Sequence, residues 1–231
     1  MKLKILSGGA AQGIVSALAE KLQTETGYEI DGTFSAVGAM KEKFLAGAPC
    51  DLIILSAKLI GELEKEGHLV AGAITPLGVV YTGVAVRTGD ELPAIADAAA
   101  FRASLLAAEG IYFPDPKLAT AGIHLMGVLD RLGIAAEVAP QLRPYPNGAT
   151  AMRELAKTVG GKLIGITQIT EIKGTPGLTL IGRLPQEFEL ATTYTVALCR
   201  RAESPAAARR FIEILTAREA LPQRTAAGFE A

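Results

Sequence analysis

Near its N-terminus the chain repeats one pattern that narrows its choice of folds: an apolar strand, a turn of small residues, then an amphipathic helix. The first copy is the strand Lys2–Leu6, the turn Ser7-Gly8-Gly9-Ala10-Ala11 and a helix over Gln12–Thr24. Ile14, Leu18, Ala19 and Leu22 share one face of that helix, and Gly27 is its stop signal. The second copy is "YEIDGTF" followed by "SAVGAMKEKFLAG", closed by Gly47-Ala48-Pro49. The third is "CDLIILS", apolar enough to be buried on both faces, followed by "AKLIGELEKEGHL". A helix between successive strands returns the chain in the same direction. The repeat therefore predicts an α/β fold with a mainly parallel sheet flanked by helices.

The alternation breaks near residue 80 and then restarts. "PLGVVYTGVAVRTG" reads as a long strand, with its regular part at 79–87, and "ELATTYTVALCRR" as another at 190–199. Between them lie a helix ("ADAAAFRASLLAA"), a strand and loop ("GIYFPDP"), a helix ("ATAGIHLMGVLDRLG"), a loop and helix ("PYPNGATAMRELAKTVGG") and a strand ("KLIGITQIT"). The C-terminal segment from Ser204-Pro205 onward reads as helix, break, helix, with Ser204 as cap and Pro205 at the first helical position. This order predicts two lobes joined by two crossing strands: residues 1–80 plus 195–231, and residues 81–194. Such a pair hinges around a cleft.

The turns carry the chemistry. A nucleotide P-loop requires Lys-Ser/Thr after its last glycine, but Ile14 and Val15 follow Gly13. A dinucleotide fingerprint would fall on Gly8, Ala10 and Gly13, with Asp31 at the end of the second strand as the ribose-binding acid, and it is degenerate. A third reading uses both turns. Ser7 and Ser35 each stand where a strand ends and a helix begins, so a parallel sheet places them side by side at its carboxyl edge. Each offers a hydroxyl near unbonded N–H groups of a helix start, a setting that holds a small anion with neutral donors.

Composition removes several classes. Net charge is −1 over 231 residues, with 5% aromatic residues and no Trp, which argues against a nucleic-acid surface or a stacking platform. No apolar run is long enough to cross a bilayer, so direct membrane insertion is not expected. Cys50 and Cys199 are the only cysteines. No zinc spacing appears, a disulfide between them stays open, and Cys50 reads as a packed residue rather than a nucleophile. No secretory leader precedes the first strand. This fits a cytoplasmic protein if residue 1 is the native start, or a periplasmic one if a leader has been removed.

The sequence resembles the periplasmic molybdate-binding protein family, the oxyanion-specific branch of the type 2 periplasmic binding fold. The resemblance rests on "SGGAAQG", "FSAVGAMKEKFLAGAPCDLIILSA", "YFPDPKLATAGIHLMGVL", "GITQIT" and "FIEILTAREALPQRTAAGF", and it runs over nearly the whole chain. It implies a substrate-binding component of an ABC transporter, with a small anionic ligand, a membrane transporter as partner, and no cofactor or metal. The first-lobe contacts it implies are Ser7, Gly8, Gly9, Ser35 and Ala36. From the second lobe it implies backbone donors in the loops Thr120-Ala121-Gly122 and Asn147-Gly148. Gln168 stands where the family places a tyrosine hydroxyl. A flexible amide in place of the aromatic hydroxyl enlarges and softens that wall, which predicts an organic acid rather than a bare tetrahedral oxyanion.

Aconitate isomerase-like proteins resemble the same fold, and this opens a second function: cofactor-free isomerisation of a small unsaturated polycarboxylate. That chemistry needs a group that takes and returns a proton. His124 is the candidate, and it reads equally as a packed helix residue. Arg143 and Arg153, with Tyr145, flank "PYPNGA" and could clamp a carboxylate. His68 reads as a surface residue, and Asp115 as shaping its turn.

Overall fold

The computed structural model describes residues 1–230. In chain order, β1 (Lys2–Gly8) leads through a tight turn to α1 (Gln12–Ala17) and α2 (Ala19–Thr26), then β2 (Glu29–Ser35), α3 (Val37–Leu45), β3 (Leu52–Ser56), α4 (Ala57–Lys65) and β4 (Leu69–Arg87). There follow α5 (Ala98–Ala107), β5 (Gly110–Pro114), α6 (Thr120–Arg131), α7 (Ala135–Val138), β6 (Leu142–Tyr145), α8 (Gly148–Lys157), β7 (Leu163–Gln168), α9 (Ile169–Lys173) and β8 (Leu178–Arg183). The chain finishes with β9 (Ala191–Cys199), α10 (Pro205–Thr216) and α11 (Leu221–Ala227).

Two compact units result. One is Met1–Val80 together with the chain from Thr192 onward, and the other is Tyr81–Ala191. In the first, β1 lies between β2 and β3, parallel to both, with registers from Lys2↔Glu29 to Gly8↔Ser35 and from Ile5↔Leu52 to Ser7↔Ile54. β9 adds antiparallel to β3, from Leu52↔Leu198 to Ser56↔Tyr194. All five β3 residues are buried, as expected of a strand covered on both faces. Leu3, Ile5, Ile53 and Val196 share one core with Ile14, Leu22, Phe211 and Leu215 from the helices.

The second unit repeats the plan. β5 lies between β6 and β7, parallel to both. β7 pairs antiparallel with β4 from Thr82↔Gln168 onward, and β8 pairs with β4 across a bulge at Val84/Ala85. Period-two alternation divides β5 between two cores. Ile111 and Phe113 pack with Phe101, Leu125 and Leu129, while Tyr112 packs with Met152 and Leu155.

The structure corrects several sequence expectations. The first helix is two, broken at Leu18 (φ −107°, ψ 4°). β4 begins at Leu69, ten residues before the expected strand. Short β6, β8 and α9 were not expected at all. Asp31 lies in the middle of β2, opposite Lys4, rather than at the strand end where a ribose-binding acid must stand. Ser204 takes the cap position of α10 with Pro205 at the first helical position, yet its side chain makes no capping bond. Its amide instead donates to Asp51 Oδ1 at 2.8 Å, and Lys4 N donates to Asp51 Oδ2 at 2.9 Å. Asp51, 1% exposed, thus joins β1 to the start of α10.

Candidate anion site

Three parallel strands of the first unit end in the same way. β1 closes on Ser7-Gly8, β2 on Ser35 followed by Ala36, and β3 on Ser56 followed by Ala57. Register places Gly8 opposite Ser35, and Ser7 opposite both Phe34 and Ile54, so all three serines lie at one carboxyl edge. Ser7 is fully buried and its hydroxyl donates to the Gly8 carbonyl at 2.9 Å. Ser35 is half-buried, and Ala36 is the cap residue of α3 with extended backbone (φ −56°, ψ 139°). Gly9 is half-buried in the turn that follows β1.

Gly8 has a packing reason to be glycine. A Cβ there would stand 2.7 Å from Val37 Cγ1 and 3.0 Å from Tyr194 Cε1. The turn can therefore press against α3 and the Tyr194 ring. Sequence reasoning passed over Ser56 and Tyr194. Ser56 was recoverable, since "LSA" repeats the serine-then-small pattern of the other two strand ends. Tyr194 was not, because only the β3–β9 register sets it opposite Ser56.

In the second unit the parallel strands again deliver helix starts. Thr120, Ala121 and Gly122 are not a loop: they form the first turn of α6, whose cap residue is Ala119. The amides at such a start lack partners within the helix, so donor capacity persists for a different reason from the one expected. The turn before it is shaped as predicted, with Asp115 Oδ1 accepting from Lys117 N at 2.7 Å and Leu118 N at 2.8 Å. Gly122 is required here, since a Cβ would meet the Pro114 and Asp115 carbonyl oxygens at 2.3 and 2.2 Å.

Asn147 caps α8, its Oδ1 accepting from Thr150 N at 2.8 Å. The amide just before Thr150 is also engaged. The Glu171 carboxyl is hydrogen-bonded by the backbone N–H groups of Ala149 and Gln168, and by Thr167 Oγ1 at 2.5 Å. Burial pushes the Glu171 carboxyl above the usual carboxylate range, and these hydrogen bonds and Arg153 act against that rise. Gly148 is pressed against this group: a Cβ would lie 1.9 Å from Glu171 Oε2 and 2.0 Å from Thr167 Oγ1. Sequence reasoning missed Glu171, whose only mark was its place three residues after Gln168. Gln168 ends β7, is 3% exposed and pairs with Thr82.

The other candidates are engaged locally. His124 Nε2 lies 2.7 Å from the Phe188 carbonyl oxygen, which only accepts, so that nitrogen carries the proton and donates it. Arg143 Nη1 donates to the Pro140 and Leu142 carbonyls, and Arg153 Nη2 to Thr150 Oγ1. Tyr145 stacks on Tyr112 at 5.9 Å between ring centroids. His68 lies edge-on to Phe44 and 3.5 Å from Glu66, half-buried rather than free on the surface. Among the described residues there is no cluster of three or more His, Cys, Asp or Glu able to hold a metal ion, and no helix long and apolar enough to cross a membrane.

Two α/β units built from parallel strands, with the chain leaving the first unit and returning to it, are the architecture of type 2 periplasmic binding proteins. Residues 3–230 match the family model described as bacterial extracellular solute-binding protein, and the chain belongs to that family. It is similar to an aconitate isomerase from a Pseudomonas species, 24% identical over 94% of this chain and 83% of that protein. It is also similar to the molybdate-binding protein ModA of Escherichia coli strain K12, 22% identical over 85% of this chain and 77% of that one. Among solved structures it shares its fold with the periplasmic molybdate-binding protein of Azotobacter vinelandii, with a TM-score of 0.81, 17% identity and 99% of each chain covered.

Proposed function

We propose that this chain captures a small anion outside the cytoplasm and presents it to an ABC-type membrane transporter. Ser7 and Ser35 supply hydroxyls from the first unit, with Ser56 beside them. Gly8, Gly9 and Ala36 line the same turns. The amides at the start of α6, Asn147-Gly148 and the Gln168 amide serve from the second unit. The observation that carries this reading is the set of serines closing β1, β2 and β3 at one sheet edge, each followed by a small residue. Neutral hydroxyl and amide donors suit an anion, because each charge-assisted hydrogen bond contributes about 1.5–3 kcal/mol. The molybdate-binding relatives support the same class of ligand.

Gln168 favours an organic carboxylate over a bare tetrahedral oxyanion. Its amide both donates and accepts, so it can answer a ligand hydroxyl as well as an oxyanion. A thermal-shift panel of molybdate, tungstate, sulfate, phosphate and small di- and tricarboxylates tests both claims. A ligand at 100 times its dissociation constant stabilises by about 2.7 kcal/mol. A shift with a carboxylate supports the reading. A shift with molybdate or tungstate alone makes Gln168 a simple replacement for the family's tyrosine, and no shift with any anion overturns the function.

A second reading, isomerisation of a small unsaturated tricarboxylate, is favoured by one observation beyond the aconitate isomerase relative. Glu171 is a buried carboxyl with a raised pKa set against Gly148, which makes it a better proton-handling candidate than His124. Incubation with cis-aconitate, followed by proton NMR, reads this directly. Appearance of the trans isomer at a rate lost in Glu171→Gln supports it, and an unchanged spectrum rejects it.

A further inference from the structure

We propose that Cys50 and Cys199 are a disulfide-forming pair that closes the first unit covalently around the excursion of the chain into the second. The two sulfurs lie 3.5 Å apart, although 149 positions separate the residues in sequence. Cys50 stands just before β3 and Cys199 ends β9, and these are neighbouring antiparallel strands. Cys199 N donates to the Asp51 carbonyl at 3.0 Å, which fixes the register beside the pair. A disulfide needs sulfurs about 2.05 Å apart. Side-chain rotation brings the sulfurs together across the remaining distance. Both thiols are buried, Cys50 at 7% exposure and Cys199 at 1%. The Cys199 thiol donates to Cys50 Sγ, and the Cys50 thiol to the Leu52 carbonyl.

Disulfides belong to oxidising compartments, and the family is an extracellular one. The proposal does not depend on which anion the protein binds. The donor is a disulfide of the small-molecule or dithiol-oxidoreductase type. A thiolate from one cysteine attacks a donor sulfur and expels one donor thiol, giving a mixed disulfide. The second cysteine then attacks the protein sulfur of that bond and expels the other donor thiol. In total the protein loses two protons and two electrons, and the donor disulfide becomes two thiols. Only the thiolate attacks, and in the folded protein the hydrogen bond to Cys50 and burial hold the Cys199 thiol well above its ordinary range. Oxidation therefore accompanies folding. The completed bond is then shielded by the same burial.

The chain between the two cysteines contains the whole second unit, Tyr81–Ala191. Crosslinking across so long a segment removes much freedom from the unfolded chain. The return strand β9 also cannot detach from β3 independently.

The test uses the full chain, unfolded in urea with reductant and refolded into a buffer of oxidised and reduced glutathione. The expected product is a monomer lighter by two hydrogens, with no thiol titratable after denaturation and a proteolytic peptide joining Cys50 to Cys199. Its urea midpoint is higher than that of the same protein kept reduced. This comparison needs no variant. Cys50→Ser and Cys199→Ser, refolded alongside, lose the midpoint increase. A refolded monomer that keeps both thiols overturns the proposal. So does a product carrying glutathione on one cysteine, or a crosslink between two chains.

Discussion

Gly8 on β1 is paired with Ser35 on β2 in parallel register, which sets the Ser7 hydroxyl one residue back on the adjoining strand. Two hydroxyls on neighbouring strands can address one small ligand only if both lie at the same end of those strands, and this pairing puts them there. Under the proposed function each Ser→Ala replacement removes one charge-assisted bond, and affinity for the ligand found in the panel is expected to fall about 10-fold or more. Ser56→Ala is expected to weaken binding less, because Ser56 lies two residues beyond Ile54, the partner of Ser7. Calorimetric titration measures all three. Unchanged affinity in both Ser7→Ala and Ser35→Ala removes the serines from the site.

Three glycines rank by what a methyl group would meet. Gly122→Ala pushes into two backbone carbonyls, which cannot rotate away, and Gly148→Ala into the Glu171 and Thr167 side chains, which can. Both destabilise, within or above the usual ~1–3 kcal/mol for overpacking, with Gly122→Ala the worse. Gly127, in the same helix as Gly122, has open space around it. Gly127→Ala is expected to stabilise by about 0.5–1 kcal/mol through helix propensity. Urea denaturation of the three variants should give that order, and any other order contradicts the packing described.

Glu171 sets a pH dependence. Its folded pKa is raised above the ordinary 4.5, mainly by burial, so the folded state holds the proton more tightly than the unfolded chain. The contribution is therefore fully present below about pH 4.5 and is lost as pH rises through the folded pKa. Glu171→Gln keeps an acceptor for the Thr167 hydroxyl and cannot ionise, so it should lose this fall in stability between mildly acidic and neutral pH. Denaturation midpoints of both proteins across that range decide the matter. Parallel pH profiles mean that Glu171 does not control the slope.

Asp51 accepts backbone N–H groups from β1 and from the start of α10 while buried. Asp51→Ala leaves two part-buried backbone donors without this partner and should cost about 2–3 kcal/mol. Asp51→Asn should recover little, since its amide nitrogen must face one of those donors. A denaturation midpoint close to that of the parent protein for Asp51→Ala would show that the bridge contributes little.

The sequence alone determined the α/β class, the parallel strands β1, β2, β3, β5 and β7, and the serines that close β1 and β2. These follow from local rules: apolar periodicity, small-residue turns, and the need of each strand to enter a helix. Asn147, Gly148 and Gln168 came instead from the resemblance to the molybdate-binding family, and the structure sets them at strand and helix ends. The local rules failed for β6 and α9, four and five residues long, and for β8. The β8 residues Leu178–Arg183 are all half-buried and show no clean alternation. Local pattern also cannot say what meets across a sheet. Strand register and helix packing decided that Cys50 meets Cys199, that Asp51 receives Lys4 and Ser204, that Tyr194 stands opposite Ser56, and that Gly148 presses on Glu171. Each of these relationships joins residues far apart in the chain, and the joining follows from burying apolar faces that no one segment can bury alone.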